Sequence, residues 1–209
     1  MEIAVLGTGM VGKTLAAGFQ RAGHTVTVGT RDPEVTAGRE EWTDVPLATY
    51  AAAAAGADLV VLAVGGQVAE EVLAQADLPR GAIVLDLTNP LDFSNGFPPT
   101  LTVKDTDSLA ERLQRANPTA QVVKALNTVN CSLMVAPQQL ADGDHTIFVA
   151  GDDAAARAHV KSVLQDLGWS DIVEFPTLDA ARGLEMYLPL WVRLMGQLGT
   201  PQFNLKLVR

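Results

Sequence analysis

Cysteine is almost absent from this chain: one residue of 209, Cys131, carries a thiol. An intrachain disulfide is excluded, and the composition fits a reducing cytoplasm. A lone Cys without a flanking motif reads as a small buried apolar residue rather than a nucleophile. Histidine is scarce, with three copies, His24, His145 and His159. No HxxxH, CxxC or paired-carboxylate spacing occurs, so no metal is expected. His24 reads as a capping and packing residue, His145 as loop and His159 as helix surface. Aromatic residues make up only 5%. Basic residues number 15 against 24 acidic ones, a net charge of −9 with a pI near 4.7. That balance argues against a nucleic-acid or anionic-membrane surface, which would be basic. Long hydrophobic runs are missing too: 59–64 is apolar but too short to cross a bilayer. The start, Met1-Glu2-Ile3, lacks the basic-then-apolar order of a signal peptide.

What is present is a globular composition, 48% hydrophobic and 19% charged. The length suits one domain, or one with a small appendage, able to bury ~70% of its unfolded surface. The most informative segment comes first. An apolar strand, Ile3 to Leu6, runs into Gly7-Thr8-Gly9-Met10-Val11-Gly12. A helix over Met10 to Arg21 follows, stopped by Ala22-Gly23-His24, and then a second strand, Val26 to Val28. This strand–turn–helix–strand unit is the form that binds a dinucleotide. Gly7 permits the tight turn, Gly9 lets the backbone approach a pyrophosphate, and Gly12 lets helix pack on strand. The phosphates then meet the free N–H groups and positive dipole end of the helix.

The end of the second strand selects the dinucleotide. An NAD site usually places a carboxylate there to hold the ribose 2′-hydroxyl. Here Thr30 and Arg31 stand instead. A 2′-phosphate meets no repulsion from them; Thr30 can donate one hydrogen bond and Arg31 a charge-assisted pair. At ~1.5–3 kcal/mol per charged bond, one Arg contact gives about 10- to 100-fold preference for NADP over NAD. Asp32, one residue on, opposes this.

Strands and helices alternate along the rest. The stretch 32–46 reads as a polar, acidic connection. Leu47-Ala48 is a short strand and 51–55 a short helix ended by Gly56. Ala57 to Val64 is a strand buried on both faces, ended by Gly65-Gly66. Ala82 to Leu87 is another, ending in Thr88-Asn89-Pro90. Residues 92–105 read as loop, and Asp107-Ser108 opens a helix to about Arg115. Further strands are expected at 120–126, 146–151 and 171–175, with a helix over 154–167 capped by Asp152-Asp153. The stretch 179–198 is helical, kinked at Pro189.

The pattern specifies a Rossmann-type doubly wound, mainly parallel α/β sheet with a short C-terminal helical appendage. Residues 1–177 form the nucleotide-binding part, and 178–209 a helical segment completing an acceptor pocket or a dimer contact. In such a sheet ligands lie at the carboxyl ends of the strands. Val64-Gly65 and Thr88-Asn89 therefore converge with Gly7–Gly12 on the cofactor, and Asn127, ending a further strand, lies toward the nicotinamide. A turn-capping role for Asn127 stays open.

No proton-transfer group accompanies this site. There is no GxSxG elbow, no Ser–Lys pattern, and no lysine spaced for a relay from Tyr50 or Tyr187. Dehydrogenating an alcohol needs a general acid or base. Hydride exchange between two redox cofactors needs mainly stacking and distance. The absence favours the second chemistry, and no side chain is assigned as catalytic.

The chain resembles the coenzyme F420-dependent NADP oxidoreductases and their relatives, including the NADPH-binding domain of the STEAP metalloreductases. Four segments carry the resemblance: Gly7–Gly12; Val28-Gly29-Thr30-Arg31; Val122-Val-Lys-Ala-Leu-Asn127-Thr-Val; and Ala181-Arg182-Gly-Leu-Glu185 with Leu188-Pro189-Leu190. The resemblance implies hydride transfer between NADP(H) and a small-molecule or cofactor acceptor, F420 or a flavin, in a cytoplasmic homodimer. It also implies C-terminal helices that shape the second-substrate pocket. Trp191, Val192, Leu194, Met195 and Leu198 form an apolar stripe, expected to be core or else a dimer interface or pocket lid, and Arg182 and Glu185 are spaced to pair. Two other readings stay open: an NADPH-dependent reductase of a small carbonyl or imine, and a non-catalytic NADPH-binding redox-sensing module.

Overall fold

Glu2–Leu6 forms the strand at the heart of the sheet, β1. Its side chains alternate, Ile3 and Val5 into one apolar cluster, Ala4 and Leu6 into another. Both faces are apolar because helices cover both. In chain order there follow α1 (Met10–Arg21), β2 (Thr25–Thr30), α2 (Pro33–Ala37), β3 (Leu47–Thr49), α3 (Tyr50–Ala54), β4 (Leu59–Leu62) and α4 (Ala69–Gln75). Next come β5 (Ile83–Asp86), β6 (Leu91–Asp92), β7 (Thr100–Leu101), α5 (Leu109–Ala116), β8 (Gln121–Ala125) and α6 (Cys131–Met134). The chain closes with β9 (Thr146–Ala150), α7 (Ala154–Asp166), β10 (Asp171–Phe175), α8 (Ala181–Met186) and α9 (Leu188–Leu198). This computed structural model describes residues 1–42 and 44–209. Thr43, part of the 32–46 connection, lies outside the described residues.

The main sheet has eight strands in the order β10-β9-β8-β5-β4-β1-β2-β3. Neighbours are parallel except β8 and β9, which are antiparallel with Lys124 opposite Ala150. The order runs outward in both directions from β1 and β4, which is the doubly wound topology the alternation of strands and helices specifies.

Three expectations change. The 32–46 connection contains α2, whose first turn is set by Pro33 and capped by Asp32. The 92–105 loop is pinned at its base by a two-stranded antiparallel ribbon, β6 with β7, Leu91 opposite Leu101. The helical stretch 179–198 breaks at Tyr187 into α8 and α9. Pro189 sits in the first turn of α9, where its missing N–H costs no bond. Asp152 and Asp153 divide their work. Asp153 caps α7 through the Ala156 N–H, and Asp152 accepts from the Leu178 N–H.

After α9 the chain returns along the sheet. The Thr146 N–H donates to the Leu205 carbonyl, and Asn204 donates to the Thr146 carbonyl. Phe203 stacks on Trp191 with ring centroids 5.3 Å apart. His145 is buried here, accepting at Nδ1 from Asn204 and facing Trp169 edge-on. It is a packing residue just before β9, next to the edge of the sheet. Among the described residues no helix is long and apolar enough to cross a membrane, and no cluster has the ligands for a metal ion.

Candidate functional site

A groove of about 690 Å³ opens at the carboxyl ends of β1, β4, β5 and β8. The first turn of the fold builds its floor, through Gly7, Thr8, Gly9, Met10 and Val11. Gly7 has φ +126, and a Cβ there would lie 2.3 Å from the Ala63 carbonyl oxygen. A Cβ on Gly12 would lie 2.1 Å from the Gly7 carbonyl oxygen. Only glycines fit at these two places, and they bring α1 down onto the turn. Gly12 is accordingly buried beneath the groove and does not line it. Above Gly9 the space is open. Gly9 offers no capping side chain to α1, and the first turn of α1 carries no acid. Its leading N–H groups and positive dipole end are thus left for an anion.

The other strand ends supply the walls. Val64 and Gly65 follow β4, Thr88 and Asn89 follow β5, and Asn127 follows β8; all line the groove. Asn89 and Asn127 form a reciprocal pair. Asn127 Nδ2 donates to Asn89 Oδ1, and Asn89 Nδ2 donates to the Asn127 carbonyl, both at 3.0 Å. Asn127 also donates to the Leu184 carbonyl at 3.0 Å. Both Nδ2 protons are therefore used in joining two loops and α8, while the side-chain oxygen makes no hydrogen bond among the described residues.

Thr30 and Arg31 stand away from the groove residues, at the end of β2. The Thr30 hydroxyl is buried, 2.8 Å from that of Thr36. Thr36 donates its own proton to the Asp32 carbonyl, so Thr30 is the donor of that pair, and the hydroxyl expected from sequence to donate to a 2′-phosphate has its one proton engaged here. Arg31 is exposed and has no hydrogen-bond or ion-pair partner among the described residues. Asp32, which in sequence opposes an anion here, turns away: its carboxylate accepts from the Val35 N–H at 3.0 Å and caps α2.

The strongest feature beside the groove is a charge cluster that periodicity does not reveal. The Lys124 ammonium is fully buried and uses all three donors. They go to Asp86 at 2.9 Å, the Thr88 carbonyl at 2.6 Å and Glu185 at 2.8 Å. Asp86 accepts in addition from the Thr88 N–H and hydroxyl. Glu185 also accepts from the N–H groups of Leu109 and Ala110, at the positive end of α5. Burial alone would lower the Lys124 pKa, but the two carboxylates outweigh it and the pKa is raised. Burial pushes the Glu185 pKa up, with Lys124 pulling against it. The cluster holds Thr88 from both its carbonyl and its amide side. The sequence signal was a charge inside each of two otherwise apolar strands, Asp86 and Lys124.

Arg182 and Glu185 do not pair with each other. Arg182 makes a bidentate bridge to Glu111, at 2.6 and 2.9 Å. Of the stripe on α9 only Val192 is buried; Trp191, Leu194 and Met195 are half-buried and Leu198 is more than half exposed. Leu188 and Trp191 line the groove, as do Phe93 and the half-buried Cys131. Cys131 is thus a wall residue rather than a buried filler.

The fold and groove define an α/β protein of the Rossmann-type class. Residues 2–90 match the family described as "NADP oxidoreductase coenzyme F420-dependent". An F420-dependent NADP reductase from Methanothermobacter thermautotrophicus is 32% identical over 209 aligned positions, spanning 93% of this chain and 89% of that one. The chain belongs to this family of coenzyme F420-dependent NADP oxidoreductases. A solved structure from Arthrobacter sp. FB24, with a provisional assignment as an F420-dependent NADP-reductase, is 50% identical, covers both chains in full and superposes with a TM-score of 0.96. The metalloreductase STEAP3 of Rattus norvegicus is 26% identical over 91% of this chain, which spans only 38% of that longer protein.

Proposed function

We propose that this protein exchanges hydride between NADP(H) and a second redox cofactor, an F420-type deazaflavin or a flavin. One observation carries the reading. Among the described residues lining the groove there is no Asp, Glu, His, Lys or Arg; Tyr50 and Cys131 are its only titratable side chains. Hydride addition to a ketone leaves a strongly basic alkoxide that needs a proton in step, and this groove offers little to deliver it, whereas a reduced deazaflavin or flavin is stable as its anion and takes its proton from water. A flat redox heterocycle asks instead for an apolar wall and a fixed distance, which Phe93, Leu188 and Trp191 supply.

The residues present fit NADP(H). Gly7, Thr8, Gly9, Met10 and Val11 frame the pyrophosphate place, with Gly12 supporting them from beneath. The unpartnered Arg31 is left to meet a 2′-phosphate, Thr30 fixes the end of β2 through the proton it gives Thr36, and the diversion of Asp32 into helix capping removes the repulsion. Val64, Gly65, Thr88 and Asn89 flank the middle of the cofactor, and Asn127 holds the loops at its nicotinamide end. When bound, the nicotinamide supplies the hydride. The chain's part is to orient the ring and exclude water. Residues 178–209 complete the acceptor side through Leu188 and Trp191. The exposed Leu190 and Leu198 suit α9 to a homodimer contact, and the single thiol suits a reducing cytoplasm.

The test mixes purified protein with NADPH and follows the loss of its near-ultraviolet absorbance with F420, FMN, FAD, a ferric chelate and small ketones and imines in turn. Turnover with the deazaflavin or flavins is expected. Turnover with carbonyls or imines alone overturns the reading. Tight NADPH binding with no turnover makes the protein a binding module.

A further inference from the structure

After Leu198 the chain turns back. Gly199, in the left-handed conformation at φ +67, ends α9, and the residues beyond it return along the sheet. On this return Phe203 meets Trp191: the two rings stack with centroids 5.3 Å apart and planes 26° apart. Phe203 is half-buried and does not line the groove, whereas Trp191 does. The side chains on either side of Phe203 are tied down. Gln202 Nε2 donates to the Ser132 hydroxyl at 2.8 Å, next to the groove residue Cys131. Asn204 Nδ2 donates to His145 Nδ1 at 2.8 Å and to the Thr146 carbonyl at 2.9 Å. The Thr146 N–H donates to the Leu205 carbonyl, and the Thr146 hydroxyl accepts from the Leu207 N–H.

Trp191 depends on this support because little else fixes it. Its indole Nε1 is buried and has no hydrogen-bond partner among the described residues. No polar contact therefore sets the orientation of the ring. The helix that carries it is lightly seated: of the eleven residues of α9 only Leu188 and Val192 are buried. An indole without a hydrogen bond is oriented by packing alone, and a stacked aromatic pair is a directional contact. Phe203, clamped through Gln202 and Asn204, is thus a fixed plane against which Trp191 rests. Position matters at this wall. Hydride passes only between atoms held close and in line, and a displacement of about 1 Å can cost a factor of about 100 in rate.

We infer that Phe203 is a positioning residue: from outside the groove it holds the Trp191 indole in place, and so sets the distance and tilt of the acceptor ring against the nicotinamide. This rests on the hydride-exchange reading and adds to it a residue that touches neither cofactor nor acceptor.

The test measures single-turnover hydride transfer from bound NADPH to the deazaflavin or flavin that the wild type reduces, at saturating acceptor. In Phe203→Ala the rate is expected to fall about 10- to 100-fold, while the Kd for NADPH changes by less than about twofold. Phe203→Tyr keeps the ring and keeps the rate. Phe203→Leu keeps apolar bulk without the ring and is slow. Should Phe203→Ala fail to fold, the comparison of Tyr with Leu still decides. Because Phe203 acts through Trp191, Trp191→Ala and Trp191→Ala/Phe203→Ala are equally slow. Acrylamide quenching of tryptophan fluorescence rises in Phe203→Ala, and the rise is absent when Trp191→Phe is added, since Trp42 and Trp169 are buried. Additive losses in the double variant, full activity in Phe203→Leu, or NADPH affinity lost in step with the rate overturn the inference while hydride exchange stands. No turnover by the wild type with any acceptor overturns the hydride-exchange reading, and the inference falls with it.

Discussion

Lys124 and Glu185 form a fully buried ion pair at 2.8 Å across 61 residues of chain. Through it α8 is tied to β8, and through the same ammonium α8 is tied to the Thr88 loop of the groove. Removing one partner leaves an uncompensated buried charge. Lys124→Met should therefore destabilise the protein by about 3–5 kcal/mol at neutral pH. The substituted protein would hold Glu185 beside a second buried carboxylate with no cation between them, and its pKa, already raised by burial, rises further above the unfolded one. Such groups bind protons more readily when folded, so stability falls as pH rises through that window. Urea unfolding should show a smaller penalty at about pH 5 than at about pH 8. A penalty independent of pH would mean that the charge is not what the lysine contributes.

Arg31, outside the groove at the end of β2, provides a second test. Arg31→Ala should weaken NADPH binding by about 10- to 100-fold and leave NADH binding within about twofold. Titration of both cofactors into both proteins reads this directly. Equal losses would show that Arg31 does not distinguish the 2′-phosphate. Asp32→Ala serves as the companion. It removes the cap of α2, so its cost should appear in stability, about 1 kcal/mol, rather than in cofactor choice.

Gly12 separates packing from contact. Gly12→Ala drives a methyl toward the Gly7 carbonyl oxygen, which is backbone and cannot swing away. A cost of about 1–3 kcal/mol is expected, with NADPH affinity lost as α1 is pushed off the turn. Calorimetry and cofactor titration check the two parts. Unchanged affinity in a destabilised protein would show that the turn tolerates displacement.

Asp107 gives the acid limb. The Arg115 guanidinium beside it holds its carboxyl well below the usual range, at about 2 against 3.8. A carboxylate with a depressed folded pKa stabilises the protein above its unfolded pKa, and that stability is lost as pH falls through the folded value. The window here runs from about pH 4 down to about pH 2. The pair is partly open to solvent, so its worth is a surface pair's, about 0.2–1 kcal/mol. Asp107→Asn should be less stable than wild type at neutral pH and equal to it near pH 2, read from urea midpoints.

The glycine turn made much of this legible in advance. It set both ends of α1, Met10 and Arg21, because a helix start and a glycine stop are local chemistry. The doubly wound sheet followed from apolar runs without alternation. The charge cluster was less accessible, since its three members lie on three elements and meet only when β5, β8 and α8 are assembled. The half-covered stripe on α9 was ambiguous for a different reason: spacing shows that a helix has an apolar face, and only packing shows what covers it. The ribbon within 92–105 was missed because two-residue strands carry no period.

The antiparallel step between β8 and β9 has a consequence for where the last helices finish. Because β9 and β10 run against the other strands, the chain leaves β10 heading away from the open rim. It then climbs the sheet face again, with Leu178 and Ala181 packed into the cluster beneath, and so arrives at the rim with Leu188 and Trp191. The reversal works as a delivery route. A ninth strand aligned with its neighbours would release the final helices at the rim and send them downward, leaving the acceptor end of the groove without its wall.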